Sequence, residues 1–164
     1  MGRTGGSVQR VREALAAAGL ASEVRELAAS TRTAQDAASA LGCQVAQIVK
    51  SLVFRKTATD GPLLVLVSGT NRASEERLAA LAGGPVERAD ADFVRGRTGF
   101  AIGGVPPLGH AAPLETLIDR DLMAFPVVWA AAGSPHAVFA LSPADLRRIT
   151  GGRVEELADD RGSR

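Results

Sequence analysis

The stretch from Phe100 to Pro113 constrains this chain more than any other: Phe-Ala-Ile-Gly-Gly-Val-Pro-Pro-Leu-Gly-His-Ala-Ala-Pro. Phe100 to Ile102 predicts a short apolar strand that runs directly into a loop of glycines and prolines. Proline fixes φ and lacks a backbone donor, so the loop can neither prolong the strand nor wind into a helix. Glycine removes the side chain where φ must be positive or where another group must approach the main chain. Two readings follow. The loop presents its amides to a small polar group, or it is a tight reversal packed on a core, and spacing alone leaves both open.

The rest of the chain supplies short elements in irregular order. Residues 1–6 are glycine-rich and read as loose, after which Ser7 caps a helix with Val8, Val11, Leu15 and Ala18 on one face, ended by Gly19. Glu23 to Leu27 alternates like an exposed strand. Thr33 is an N-cap for a helix from Ala34 to Leu41, with Gly42 as its stop. Ile48 to Phe54 and Leu63 to Val67 are apolar and β-branched, with Asp60-Gly61-Pro62 between them, and so predict a hairpin. Ser74 caps a helix through Ala82, Val86 to Arg88 is a brief strand, and Ala91 to Arg95 a turn or two of helix. Glu115 to Asp119, Val127 to Ala131 and Ala137 to Leu141 are further strands, the last two a hairpin about Gly133-Ser134-Pro135-His136. Ser142-Pro143-Ala144-Asp145 starts a helix that reaches Thr150, since Ser suits the N-cap and Pro the first turn. Val154 to Leu157 predicts a final strand, and the polar residues after it a frayed tail. Hairpins and short helices without βαβ alternation predict an α+β fold. The expected architecture is one domain over 7–158, with a mixed, mostly antiparallel, barrel-like sheet among short helices and flexible ends at 1–6 and 159–164.

Charge narrows the partners. Nineteen basic and eighteen acidic residues leave a formal charge of +1, which does not describe a protein that grips a long phosphate track. Contact with RNA would be local, such as a strand end. The single cysteine, Cys43, has no internal disulfide partner and fits a reducing compartment. It follows Leu41-Gly42 and reads as a small packed side chain more readily than as a nucleophile. No apolar run approaches the roughly 20 residues that span a bilayer, and the N-terminus lacks the apolar stretch of a signal peptide. The expected location is the cytoplasm.

Few residues offer chemistry. Lys50 lies in an apolar strand between Val49 and Ser51-Leu52, a costly place for an ammonium unless it reaches water, a partner or a ligand. It is equally the kind of lysine that blunts an edge strand against aggregation. His110 and His136 each sit in a glycine-containing turn, where they either line one cleft or face solvent. There is no third histidine, no cysteine partner and no His-Glu-x-x-His spacing, so no zinc site is expected. Ser134 lacks the Gly-x-Ser-x-Gly setting of a nucleophile elbow. Ser68-Gly69-Thr70-Asn71 lacks the lysine of a phosphate-binding P-loop. The pattern suits electrostatic positioning better than attack by a side chain.

Taken together, Gln47-Ile-Val-Lys50-Ser-Leu-Val-Phe54, Gly103-Gly-Val-Pro-Pro-Leu-Gly109, Ala132-Gly133-Ser134 and Ser142-Pro143-Ala-Asp-Leu146 resemble the YbaK / prolyl-tRNA synthetase-associated domain family over about residues 8–158. The resemblance implies an α+β domain that hydrolyses the ester of mischarged tRNA, here free-standing. Its substrate would be tRNA for proline carrying a small amino acid such as alanine or cysteine. It implies that Lys50 meets the phosphate of the terminal adenosine. Gly103, Gly104 and Pro107 would frame the reacting carbonyl, with Val105, Pro106 and His110 shaping the pocket. Gly133, Ser134 and His136 would form the opposite wall. The ribose 2′-hydroxyl would assist water, with no protein nucleophile and no cofactor. The partners implied are the acceptor end of mischarged tRNA and, for delivery, a prolyl-tRNA synthetase or an elongation factor. The alternative is a module of the same fold that binds a tRNA end or a nucleotide without turnover.

Overall fold

Leu63 to Ser68 are all buried, and around that run the molecule is layered. A strand buried on both faces reads as a continuous apolar segment and sits mid-sheet. In the computed structural model, which describes residues 3–27 and 33–159, this strand is β3 (Pro62–Ser68). It pairs antiparallel with β2 (Val49–Lys56), from Val49↔Ser68 to Arg55↔Pro62. On its other side it runs parallel to β5 (Glu115–Asp119), which runs parallel to β8 (Arg153–Glu155). With β4 (Val86–Arg88) outside β2, the order is β4-β2-β3-β5-β8. A second sheet holds β1 (Arg25–Glu26), β7 (Ala137–Leu141) and β6 (Val128–Ala131), antiparallel in the order β1-β7-β6.

The fold is α+β with mostly antiparallel pairing, but the sheets do not close into a barrel. The sheets share one core, in which Val53 and Leu66 pack with Val128 and Phe139, and among the described residues their main chains meet at one isolated bridge, Ile48↔Trp129, beside which the Gln47 side-chain amide donates to Val127 O at 2.9 Å. Closure fails because β4 is too short: it pairs with Phe54, Arg55 and Lys56 and stops. The first half of β2 therefore keeps an uncovered edge.

Helices seal the layers. Helix α1 (Arg3–Ala17) buries Val8, Val11 and Leu15 against the larger core cluster, which includes Phe100, Phe139 and Leu146. It begins at Arg3, a turn before Ser7, so residues 3–6 form its first turn and Ser7 is not its cap. Helices α2 (Ala34–Leu41), α3 (Glu75–Ala82) and α5 (Pro143–Thr150) start where local chemistry directs. The Thr33, Ser74 and Ser142 hydroxyls accept from Asp36 N, Arg77 N and Asp145 N at 3.0, 3.2 and 3.0 Å, satisfying amides that the helix leaves free. Helix α3 covers the opposite sheet face, where Leu78 packs with Phe54, Val65 and Leu117.

The strand expected at Phe100–Ile102 does not form. Helix α4 (Ala91–Thr98) runs past Arg95 to Thr98 and ends on Gly99 at φ 83. The Thr98 hydroxyl then accepts from Phe100 N at 3.0 Å, and Gly104 N bonds Ala101 O at 3.0 Å. Two turns in succession leave no extended residues to pair. The final strand is Arg153–Glu155, a residue earlier than expected and shorter. The expected tail beyond Asp159 lies outside the described residues, as do Met1 and Gly2. Among the described residues no helix is long and apolar enough to cross a membrane.

Candidate functional site

A cleft of about 550 Å³ opens where β4 stops, between the uncovered edge of β2 and the second sheet. Its walls are mostly apolar: Ile48, Val53, Val94, Val105, Trp129 and Ala130 line it. Lys50 stands at its margin, and the glycine-proline loop and the β6–β7 turn contribute Gly103 and Ser134. An apolar pocket with few convergent polar groups is the usual form of a small-ligand site.

The Lys50 ammonium is held from behind. Its Nζ donates to Asn71 O, and the Asn71 amide in turn donates to Asp119 Oδ2 at 2.9 Å and Asp121 Oδ2 at 2.8 Å. Asp119 is 1% exposed and also accepts from Ser68 N and Asp121 N, at 3.0 and 2.9 Å. A buried carboxylate with these donors is well satisfied, and it places a negative charge behind the lysine. Burial pushes the Lys50 pKa down, Asp119 opposes that, and Arg72 and Arg88 add to the lowering. Arg88 itself lines the cleft, its guanidinium 5.7 Å from the centre of the Phe54 ring. Two cations close enough to feel each other's charge thus line an apolar pocket, an arrangement for an anionic group attached to an apolar one.

The loop owes its place to main-chain contact. Gly133 N donates to Gly104 O at 3.0 Å. A Cβ on Gly104 would lie 2.9 Å from Gly133 C and from Ser134 N and Cα. Val105, Pro106, Pro107 and Leu108 are buried behind this seam. Gly103 has φ +93, a conformation glycine takes without strain.

The candidate residues therefore separate. Lys50, Gly103, Val105 and Ser134 line the cleft, while Gly104 and Gly133 form the seam beneath it. Pro106 and Pro107 are not on the cleft wall, and neither is His110, whose Nε2 lies 2.6 Å from Pro106 O and whose ring stands edge-on to Phe100. His136 is exposed outside the lining, its N–H donating to Ser134 Oγ at 3.2 Å. Cys43 packs with Ala37, Ala38 and Ile48, and burial pushes its thiol up, away from the thiolate a nucleophile needs. Sequence reasoning missed Arg88, Ile102, Trp129 and the Asn71–Asp119 support. Arg88 enters through the register of β4 on β2, which no local pattern encodes. Ile102 carried a signal, an apolar residue before the glycines, and it is 55% exposed at the cleft. Among the described residues no three His, Cys, Asp or Glu side chains group to hold a metal ion.

His110 supports a pH prediction. A carbonyl oxygen can only accept, so Nε2 carries the proton; burial lowers the His110 pKa, partly offset by the Pro106 bond. The folded value then lies below the unfolded one of about 6.5. This contribution to stability is complete above that value and is lost as pH falls from there through the folded pKa. Melting temperature measured from about pH 7 to about pH 5 will fall in the wild type, and His110→Gln, which keeps a donor but cannot titrate, will flatten part of that slope.

Comparison with known proteins adds the family. The aminoacyl-tRNA editing domain matches residues 28–149. This chain belongs to that family. The editing domain is 30% identical over 132 residues to "Uncharacterized protein YwhH" of Bacillus subtilis, covering 80% of this chain and 83% of that protein. It is 25% identical over 126 residues to "Putative Cys-tRNA(Pro)/Cys-tRNA(Cys) deacylase EbsC" of Enterococcus faecalis, covering 76% of each. A crystal structure described as that of "a putative trans-editing enzyme for prolyl tRNA synthetase" superposes on the editing domain with a TM-score of 0.89 at 49% identity, covering 93% of this chain and 97% of the other.

Proposed function

We propose that this editing domain acts as a free-standing aminoacyl-tRNA deacylase on tRNA for proline that carries a small amino acid, alanine or cysteine. The observation that carries the reading is the Lys50 ammonium, fixed by Asn71 at the mouth of an apolar cleft that the glycine loop closes. Lys50 and Arg88 take the phosphate of the terminal adenosine, and Ile102 gives the nucleoside an apolar lip. Trp129, Val53 and Val105 leave room for a small side chain. The substrate is delivered in the cytoplasm by a synthetase or elongation factor, in keeping with a formal charge of +1.

An aminoacyl ester is already activated, so hydrolysis asks for a placed water and a stabilised oxyanion. Of the loop's amides, Gly104 N–H is engaged with Ala101 O, and Pro106 and Pro107 have none. The Gly103 and Val105 amides remain for the developing oxyanion. The substrate's 2′-hydroxyl orients the water, accepts its proton and passes its own proton to the 3′-oxygen as the C–O bond to that oxygen breaks, leaving a free amino acid and the tRNA 3′-hydroxyl. A panel of mischarged tRNAs tests this: turnover of one small-amino-acid species supports it. Binding of charged ends without turnover would instead mark a non-catalytic module.

The lowered Lys50 pKa sets an alkaline limit. Affinity for a short RNA ending in CCA will fall below the usual lysine titration near pH ~10.4. Asp119→Asn removes the charge that holds the proton on, so the limb moves to lower pH; an unmoved limb would show that Asp119 does not act on Lys50. Stability runs the other way. Between the folded and unfolded pKa values of Lys50 the unfolded chain binds more protons, so that contribution rises with pH.

A further inference from the structure

Helix α1 precedes residues 28–149, the stretch that the family model matches, yet it rests against both loops that frame the cleft. Ser7, Arg10 and Ala14 share one helix face, being spaced three and four residues apart. Ser7 meets the β6–β7 turn, where a Cβ on Gly133 would lie 2.7 Å from Ser7 O. Ala14 meets the far end of the glycine-proline loop, where a Cβ on Gly109 would lie 3.3 Å from Ala14 Cβ. Arg10 takes the near end. Its Nη2 donates to Gly99 O at 2.7 Å and to Ser7 Oγ at 3.4 Å, while its guanidinium carbon lies 4.4 Å from the centre of the Phe100 ring. The base of the loop is closed by Ala111 N donating to Thr98 O at 3.0 Å. Both ends of the loop and the neighbouring turn are thus backed by a single helix face.

The contact at Arg10 leads inward. Phe100 is 1% exposed, and the His110 ring stands edge-on to it, 6.4 Å between centres. His110 Nε2 donates in turn to Pro106 O at 2.6 Å, one residue beyond Val105. Arg10 is exposed and is not on the cleft wall. A guanidinium that donates to a carbonyl while lying on a ring uses the two properties by which arginine differs from lysine. We infer that α1 braces the glycine-proline loop against the β6–β7 turn, and that Arg10 is the positioning residue through which the brace sets the Gly103 and Val105 amides. The inference rests on the deacylase reading for its catalytic consequence, though not for its mechanics. Without the guanidinium, Phe100, His110 and Pro106 lose the contact that fixes them from behind, and the loop gains freedom relative to the turn. Amides aimed at a developing oxyanion act by being in place before the reaction, so such slack costs rate. Arg10 touches no substrate, so binding is spared.

The test compares the wild-type chain with Arg10→Ala and with Leu81→Ala. Leu81 lies on α3 and packs on the opposite sheet face, so its truncation lowers the melting temperature without reaching either loop. With tRNA for proline carrying alanine as substrate, Arg10→Ala should lower kcat by about ten-fold, within the range that misplacing a reacting geometry costs. KM should change by less than about two-fold, since uniform binding is untouched. Leu81→Ala should leave both constants unchanged at a temperature where all three proteins are folded. Amide hydrogen exchange is the second readout. In Arg10→Ala the Gly104 and Gly133 amides, bonded to Ala101 O and Gly104 O, should exchange about ten-fold faster, with the β3 amides unchanged. Wild-type kcat in a folded Arg10→Ala protein overturns the inference, as does unchanged exchange at the two amides or an equal loss of kcat in Leu81→Ala. A raised KM with kcat unchanged overturns it too, by making Arg10 a substrate contact. If the wild type hydrolyses no mischarged tRNA, the deacylase reading falls, and the exchange comparison alone decides whether the brace stands.

Discussion

Replacing Lys50 by alanine is expected to lower kcat/KM for deacylation of a mischarged tRNA by about 100-fold, the upper end of what a hydrogen bond between charged groups contributes. The loss should appear as a raised KM with kcat little changed, since the ammonium engages a phosphate present in ground and transition states alike. Folding should survive. Lys50 is half-buried and its charged form is disfavoured by burial, so alanine relieves a desolvation cost while freeing one acceptor, Asn71 O. A melting temperature within a few degrees of wild type, together with collapsed activity, is the combined result expected. Full activity in a folded Lys50→Ala protein would return the lysine to the role of an edge-strand charge, which its position on an incompletely covered strand also permits.

Gly104→Ala is expected to destabilise the protein by about 3 kcal/mol, lowering the melting temperature by roughly 6–12 °C. The cause is contact and not torsion, since Gly104 is absent from the residues with positive φ. Its added methyl would meet three main-chain atoms of Gly133 and Ser134 at 2.9 Å, and main chain cannot swing aside as a flexible side chain can. The loop would have to separate from the β6–β7 turn, breaking the Gly133 N to Gly104 O bond and displacing Gly103 from the cleft. Activity should therefore fall with stability. Gly84→Ala is the control: a Cβ there meets nothing within 4 Å, and alanine should be neutral or slightly stabilising through the unfolded chain. Equal melting temperatures for the two variants would refute the seam.

Much of the architecture is legible along the chain because the forces that set it are local. A hydroxyl reaching the amide three residues on starts the helices at Thr33, Ser74 and Ser142, and glycines at 42, 83 and 151 end them in the left-handed conformation. The run Leu63 to Val67 announces a central strand, since only a strand covered on both sides can be apolar at every position. Motif resemblance groups Lys50, Gly103, Val105 and Ser134, which fold onto one cleft. It also groups His110 and His136, which do not, because one is engaged with Pro106 O and the other faces solvent.

What the chain could not disclose depends on partners distant in sequence. Phe100 to Ile102 has the composition of a strand, but a strand needs an edge to pair with, and the turns at Gly99 and Gly104 remove it. The barrel is left open because β4 ends after three residues, and the same early ending creates the cleft. Arg88 becomes a cleft cation through its register opposite Phe54, and Asp119 supports Lys50 only because β3 and β5 run side by side. Local chemistry determined the elements and their ends; the packing of sheet on sheet decided which edges stayed uncovered, and with them where a ligand can bind.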